Sequence, residues 1–396
     1  MILKDKEILI GITGGISAYK ICELVRLFVK EGARPQVVMT KNATRFVSPL
    51  TFETLSQRAV YTDLFTGFSQ PILHIELADK ADLMVIAPAT ANIIVKLAGG
   101  IADDLLSTIY LAYTGKVLIC PAMNVNMYNH PAVQENLEKL KKRGVFVLEP
   151  EEGELACGWE GKGRLPEPET ILEACEQALS PKDFAGKKIL VSAGPTREAI
   201  DPVRYISNRS SGKMGYAIAR AGVARGAEVV LISGPTSLKA PLGVKLVKVE
   251  SAEDMFDACK KYASEVDVII KCAAVADFRP KKAEAQKIKK QLAPQTIELE
   301  PTPDIIAELG KKKRKGQILV GFAAETEDLI KNAQKKLKEK NLDIIVANDV
   351  TRKDAGFEAD TNICTILFRD GKIEQLPKMS KKELAHKLLD YIKQLS

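Results

Sequence analysis

The stretch EILIGITGGIS, residues 7–17, decides the fold. Glu7–Ile12 is almost wholly apolar, the signature of a short strand buried on both faces of a parallel sheet. Thr13-Gly14-Gly15-Ile16-Ser17 breaks that run with two glycines, and the period then changes. Ile21, Leu24, Val25 and Phe28 follow the i, i+3, i+4, i+7 spacing of one helical face. Strand, glycine turn and helix together open a doubly wound α/β domain. Outward from this unit, Gln36–Thr40, Leu83–Ala87, Val117–Cys120 and Val145–Leu148 read as further strands. The unit then restarts. Lys188–Ser192 is a strand followed by Ala193-Gly194-Pro195-Thr196, an inserted loop, and a helix from about Ser211 with Met214, Ala217, Ile218 and Ala221 on one face. Glu228–Ser233, Val266–Cys272, Ile318–Phe322, Asp343–Ala347 and Cys364–Phe368 complete the strands. Two starts predict two doubly wound, Rossmann-like α/β domains with mainly parallel sheets, joined at the polar stretch Ser180–Lys187.

A length of 396 residues suits two domains, and 46% hydrophobic residues suffice for two cores. No apolar run reaches the roughly 20 residues of a membrane span. The N-terminus enters a strand directly, without the apolar region of a secretory signal, so the expectation is a cytoplasmic, soluble chain with no membrane partner. Seven cysteines without a C-x-x-C pair argue against a disulfide framework or a zinc site. Cys22, Cys120, Cys175, Cys259 and Cys272 sit in apolar segments and read as core, whereas Cys157 lies in a polar, glycine-rich loop. The net charge of +7 is compatible with nucleic acid, a solvated basic surface, or a site for polyanionic small molecules. The run Lys311–Lys315 has no nucleic-acid motif beside it and reads as a solvated loop, so no nucleic-acid partner is expected.

In an open parallel sheet, ligands bind beyond the carboxyl ends of the strands. Three segments of the first half fall on that edge: Gly11–Ser17, Ala87-Pro88-Ala89-Thr90-Ala91-Asn92, and Pro121-Ala122-Met123-Asn124-Val125-Asn126-Met127. Glycines let backbone approach a phosphate, and Asn92, Asn124 and Asn126 bring amide donors and acceptors. The glycine spacing departs from the G-x-G-x-x-G of dinucleotide-binding domains, which disfavours a dehydrogenase.

Pro121–Met127 resembles the P-x-M-N-x-x-M motif of the homo-oligomeric flavin-containing cysteine decarboxylases. Ala156-Cys157-Gly158-Trp159-Glu160-Gly161-Lys162-Gly163-Arg164 is similar to that family's substrate clamp, with Trp159 where the family usually has a smaller residue. His74 stands in the matching place. The resemblance runs from about Lys6 to Ala178. It implies a flavodoxin-like domain, residues 1–183, with FMN held by Gly14, Gly15, Ser17, Thr40, Thr90, Asn92 and Met123. It further implies decarboxylation of 4′-phosphopantothenoylcysteine to 4′-phosphopantetheine. Cys157 would return the final proton, Asn124 would hold the substrate carboxylate, and His74 would act as base or orient the flavin-side chemistry. A non-catalytic FMN-binding regulator is the competing reading; the joint presence of His74, Asn124 and Cys157 weighs against it.

In the second half, Asp201–Gly215 is polar, rich in cap-forming residues, and leads into a helix. No G-x-x-x-x-G-K-[ST] loop occurs, which disfavours a P-loop NTPase. The stretch resembles the loop of phosphopantothenate–cysteine ligases, as do Ala273–Asp277, Lys287–Lys290, Pro303–Ile305, Gly321–Thr326, Lys336, Lys340–Asp343 and Ala347–Asp349. This resemblance covers roughly Gly186 to Gln394 and implies a ligase domain, residues 184–396. Lys271, Cys272, Ala273, Asp277, Lys287, Pro303, Asp304, Ile305, Ile306, Phe322, Lys336 and Lys340 would bind CTP, with Asp277 on Mg2+. Asn208 would hold an acyl-cytidylate and Arg204 would support its conversion by cysteine. Taken together, the halves resemble the fused bacterial decarboxylase–ligases of coenzyme A biosynthesis. They imply a homo-oligomer, a dodecamer built from trimers and dimers, working on 4′-phosphopantothenate, cysteine and CTP.

Overall fold

The computed structural model describes residues 2–65, 72–154, 158–289, 296–325, 328–349 and 359–395. The chain divides into two compact units, Met1–Ser180 and Pro181–Ser396, each with its own core.

In the first unit β1 (Glu7–Ile12), β2 (Arg34–Met39), β3 (Leu83–Ala89), β4 (Lys116–Pro121) and β5 (Phe146–Val147) form a sheet in the order β2-β1-β3-β4-β5. Every pairing is parallel, the flavodoxin-like order. Between and after the strands run α1 (Ile21–Lys30), α2 (Pro49–Ser56), α3 (Leu73–Lys80), α4 (Ala91–Gly99), α5 (Leu105–Ala112), α6 (Val125–Asn129), α7 (Pro131–Lys142) and α8 (Pro168–Leu179). The α1 face expected from its spacing, Ile21, Leu24, Val25 and Phe28, is fully buried. A hairpin, β6 (Glu151–Glu154) with β7 (Glu160–Arg164), precedes α8. Its strands, EEGE and EGKGR, have no apolar alternation to announce them in the sequence.

The second unit contains, in chain order, β8 (Lys188–Ala193), β9 (Arg197–Ala199), β10 (Tyr205–Ser207), α9 (Lys213–Ala224), β11 (Glu228–Ser233), β12 (Lys245–Lys248), α10 (Ala252–Ala263), β13 (Val268–Lys271), β14 (Phe278–Pro280), β15 (Leu299–Pro301), α11 (Ile305–Lys311), β16 (Ile318–Glu325), α12 (Leu329–Glu339), β17 (Ile344–Asp349), β18 (Thr361–Asn362), β19 (Cys364–Phe368), β20 (Ile373–Gln375), β21 (Met379–Ser380) and α13 (Lys381–Leu395). The main sheet runs β12-β11-β8-β13-β16-β17-β19-β20. It is parallel up to β17 and antiparallel at β19 and β20. On one face α9 and α13 bury Val191, Val320 and Ile366; on the other α10, α11 and α12 bury Leu190, Leu319 and Ile345. The expected strand Val266–Cys272 is shorter at both ends, Val268–Lys271. Ala273 N–H donates to Ser192 Oγ at 3.3 Å and Ala274 N–H to Gly194 O at 2.9 Å, so the chain leaves the ladder toward the strand ends.

The run Lys311–Lys315 is not wholly a solvated loop. Lys313 Nζ donates to both carboxylate oxygens of Asp343 at 2.7 Å, and Arg314 donates to Val266 O at 2.7 Å. These cations close the loop under the start of β17.

Candidate active sites

Both sheets reverse their strand order, at β1/β3 in the first unit and at β8/β13 in the second. Each reversal splays two crossover connections apart and opens a crevice beyond the strand ends.

In the first crevice the turns after β1 and β3 are tied together. Thr13 Oγ1 donates to Pro88 O at 2.6 Å, and Thr90 N–H donates to Thr13 Oγ1 at 3.1 Å. Thr40 N–H donates to Ile12 O at 3.0 Å, anchoring the end of β2 alongside. Gly14 must be glycine, because a Cβ there would lie 2.5 Å from Asn42 Cβ. At Gly15 the nearest atoms, on Thr90 and Pro88, lie 3.5 and 3.6 Å from such a Cβ, so the glycine leaves an uncluttered surface facing Thr90. A 3-10 turn, Ile16–Lys20, leads from the glycine turn into α1. Asn92 is exposed in the first turn of α4, and Thr90 immediately precedes that helix.

Asn124 caps α6, its Oδ1 accepting from Asn126 N–H at 2.8 Å. Met123 N–H donates to Gly163 O at 3.0 Å, which docks the β6–β7 hairpin on the loop after β4. A Cβ on Gly163 would sit 2.2 Å from Met123 O, and one on Gly161 would sit 2.8 Å from Val125 Cγ2. The clamp glycines therefore let one backbone lie on another. His74 is half-buried in the first turn of α3. That helix must run antiparallel to the strands to deliver the chain to the start of β3, so its first turn lies toward the carboxyl edge. Cys157 lies outside the described residues, while Trp159 after it is half exposed. Of the expected flavin contacts, Gly14, Gly15, Ser17, Thr40, Thr90, Asn92 and Met123 all fall on this one edge. The bare glycine surface and the Thr13–Thr90 tie fit a flat, phosphate-bearing cofactor.

The second crevice is a cleft of about 480 Å³. Lys271, Cys272, Ala273, Asp277, Pro303, Asp304, Ile305, Ile306, Phe322, Lys336 and Lys340 line it, together with Asn208. Gly212 lines it and packs tightly behind it: a Cβ there would lie 2.8 Å from Thr236 Cγ2 and 3.4 Å from Gly194 Cα. Gly212 adopts φ 77°, a left-handed value that glycine takes readily, and no side chain caps the α9 N-terminus that opens on the cleft. Burial holds the Lys271 ammonium below the usual lysine range. Burial raises the Asp304 carboxyl, but Lys340 at 2.8 Å and the Ala307 N–H outweigh it and leave Asp304 below the usual range. Burial pushes the Cys272 thiol up to about 12, so it stays a neutral wall. Asn208 Nδ2 donates to Val275 O at 2.8 Å, which fixes the amide across the cleft mouth.

Two expected residues stand apart from this cleft. Arg204 donates to Ile288 O at 3.1 Å and lies 3.4 Å from the buried carboxylate of Asp201. Ile288 N–H donates to Asp201 at 3.2 Å, so the exposed Lys287 rides on a segment tied to the Asp201–Arg204 turn. Conversely, Lys213, Asn348, Asn362 and Lys381 line the cleft without having been assigned as site residues. Lys381 opens a helix behind β21, and long-range contacts bring it there: the pairing of β18 with β21, the Lys381 N–H donating to Asp360 O at 3.0 Å, and the packing of α13 into the α9 core.

Among the described residues no three His, Cys, Asp or Glu side chains converge as a metal cage. Asp277 is an exposed carboxylate on the cleft wall. That suits Mg2+, which keeps waters and takes its other ligands from substrate phosphates. No helix among the described residues is long and apolar enough to cross a membrane.

Residues 2–180 match the flavoprotein family, and residues 184–395 match the DNA/pantothenate metabolism flavoprotein C-terminal domain. Over 399 residues the chain is 52% identical to the coenzyme A biosynthesis bifunctional protein CoaBC of Bacillus subtilis (strain 168), covering 100% of this chain and 98% of that protein. The chain belongs to this family of bifunctional coenzyme A biosynthesis proteins. It is 46% identical over 396 residues to the relative from Vibrio parahaemolyticus serotype O3:K6 (strain RIMD 2210633), covering 99% of each. The crystal structure of the C-terminal domain of a coenzyme A biosynthesis bifunctional protein CoaBC is 49% identical, with a TM-score of 0.47, covering 54% of this chain and 97% of that one. The protein is thus a two-activity enzyme of coenzyme A biosynthesis, a flavoprotein decarboxylase combined with a phosphopantothenate–cysteine ligase.

Proposed function

We propose that residues 184–396 join cysteine to 4′-phosphopantothenate with CTP, and that residues 1–183 then decarboxylate the product, 4′-phosphopantothenoylcysteine, with FMN. The observation that carries the ligase reading is the lysine-lined cleft at the β8/β13 reversal. The substrate carboxylate attacks the α-phosphate of CTP, pyrophosphate leaves, and cysteine's amine displaces CMP from the acyl-cytidylate. Negative charge grows on the departing phosphates, so fixed cations aimed there stabilise the transition state. Lys271, Lys336 and Lys340 supply them within the cleft, and Lys287 completes the charge from the segment held by Arg204. Phe322 and Pro303–Ile306 give the cytosine and ribose an apolar bed. Asp277 carries Mg2+ against the phosphates. Asn208, neutral and anchored to Val275, holds the mixed anhydride without adding charge.

In the first unit, Gly14, Gly15, Ser17, Thr40 and Thr90 would hold FMN, with Asn92 and Met123 closing its edge. Bound FMN would supply the two-electron oxidation and its reversal that loss of CO2 requires. Asn124 holds the substrate carboxylate, Cys157 returns the last proton, and His74 acts as base or orients the substrate. Ile16 and Tyr19, 57% and 58% exposed beside the glycine turn, present apolar surface that a subunit contact would cover. That supports a subunit boundary at the flavin site; the reading extends to a homo-oligomer built from trimers and dimers into a dodecamer, in the cytoplasm.

Two measurements test the reading. The purified protein should carry about one FMN per chain by its visible spectrum, and a colourless protein refutes the flavin assignment. With cysteine omitted, mass spectrometry should find the acyl-cytidylate and pyrophosphate should be released; an acyl phosphate in its place refutes the nucleotidyl mechanism.

A further inference from the structure

The β6–β7 hairpin is fastened to the first site by side chains as well as by its backbone. β7 meets the loop after β4 with three consecutive residues. Gly161 lies against Val125, and Gly163 O accepts from Met123 N–H at 3.0 Å. Lys162, between them, holds its ammonium 5.4 Å from the centre of the Tyr128 ring. Lys162 also donates to Glu149 Oε2 at 2.8 Å. The same carboxylate accepts from the Tyr128 hydroxyl and, through Oε1, from Lys141 of α7 at 3.1 Å. Glu149 stands between β5 and β6, where the chain leaves the sheet for the hairpin. One side chain therefore gathers β7, α6 and α7.

Tyr128 carries this tie into the site. The residue is buried, and its N–H donates to Asn124 O at 2.9 Å, one helical turn back. Fixing Tyr128 thus fixes the helix that Asn124 caps. That helix has five residues, too few to hold its own shape in water, so it takes its orientation from what it packs on. Burial raises the Glu149 carboxyl, but the bonds from Lys162, Tyr128 and Lys141 outweigh it and bring it down to about 2. Burial, then Glu149, pushes the Tyr128 hydroxyl up, so it stays a donor. An exposed ion pair alone contributes little, whereas a carboxylate shared by two ammonium groups and a hydroxyl forms a network. Glu167 makes a different connection. It joins Arg164, the last residue of β7, to Lys20 beside the flavin glycine turn.

We propose that Glu149 is a positioning residue of the decarboxylase: through Lys162 and Tyr128 it latches β7 onto α6, so that the clamp strand and Asn124 meet the substrate as one unit. This rests on the reading that Asn124 and the hairpin flank the substrate, and adds to it what sets the distance between them. Glu149 acts through these neighbours and carries no step of the reaction itself.

The test uses the full-length holoenzyme and 4′-phosphopantothenoylcysteine. In Glu149→Ala the KM for decarboxylation rises about tenfold while kcat stays within about threefold, because a loosened clamp holds ground and transition states less well alike. Its FMN content matches the unmodified enzyme, since Glu167 still ties the hairpin to the glycine turn, and pyrophosphate release by the ligase is unchanged. Lys162→Met shows the same rise in KM, and the double variant shows no more than either single one. Glu149→Gln, which keeps an oxygen for Tyr128 and Lys162, recovers part of the loss. Lost FMN, or a fall in kcat as large as the rise in KM, marks a general loosening of the fold and overturns the proposal. An unchanged KM in Glu149→Ala overturns it too, as do losses that add in the double variant, which would set Lys162 directly on the substrate. Asn124→Ala separates the latch from the reading beneath it. Normal decarboxylation in that variant removes Asn124 from the substrate site, whereas an inactive Asn124→Ala beside an unaffected Glu149→Ala sinks the latch alone.

Discussion

Replacing Gly163 with alanine tests how the clamp hairpin is seated. The new Cβ would fall 2.2 Å from Met123 O, 3.4 Å from Met123 C and 3.5 Å from Val125 N. The obstructing atoms are backbone, so no rotamer change relieves the clash. Carbon and oxygen need more than about 3 Å, hence β7 must retreat by roughly 1 Å. That movement stretches or breaks the 3.0 Å bond from Met123 N–H to Gly163 O, worth about 1 kcal/mol. The larger effect is catalytic, because a misplacement of about 1 Å at a reacting site costs on the order of 100-fold in rate. The loop that shifts carries Asn124, and the hairpin carries the Cys157 segment. The assay measures CO2 release from 4′-phosphopantothenoylcysteine and, on the same preparation, pyrophosphate release by the ligase. Decarboxylation should fall about 100-fold while ligation stays within twofold, since the two units have separate cores. Normal decarboxylation in a folded Gly163→Ala enzyme refutes the claim that this close approach positions the clamp. Equal loss of both activities refutes the independence of the units.

Lys287→Gln should lower cysteine-free pyrophosphate release about 10²–10³-fold, the usual cost of one transition-state contact; an unmodified rate would detach that lysine from CTP. Asn208→Asp should still release pyrophosphate but accumulate less acyl-cytidylate by mass spectrometry, because a carboxylate then faces phosphate charge. Cys157→Ser should still release CO2 but stop short of 4′-phosphopantetheine, as seen by chromatography of the products. His386 is held down to about 4, mainly by burial and then by Arg225. A histidine depressed in the fold stabilises it above the unfolded pKa near 6.5, and that stability drains away as pH falls from 6.5 toward 4. Denaturant melts between those pH values should therefore be flatter for His386→Gln than for the unmodified chain.

The sequence was explicit wherever one residue's local surroundings decide its structure. Glu7–Ile12, Glu228–Ser233 and Cys364–Phe368 are strands with the bounds their apolar runs imply. The α1 stripe is buried as its spacing requires, and the glycine turns fall at strand ends. The order of parallel strands then follows from steric rules for crossovers, and with it the edge where ligands bind. Local pattern said nothing of the β6–β7 hairpin, whose strands are held by docking on Met123–Val125 rather than by an apolar face of their own. It also overstated the solvation of Lys311–Lys315, because Asp343 and Val266 O are distant in sequence and adjacent only in the fold.

The sequence by itself determined two doubly wound units and the segments that meet at each sheet's reversal, because hydrophobic period and glycine placement are local properties. Tertiary structure alone decided which side chains share a cleft. It gathered Lys271, Asp304 and Lys340 on one wall and Asn348, Asn362 and Lys381 on the other, and it kept Lys287 outside. Those neighbours come from strands and helices as much as 110 residues apart, from Lys271 to Lys381, and their burial and unpaired oxygens exist only once the sheet has closed.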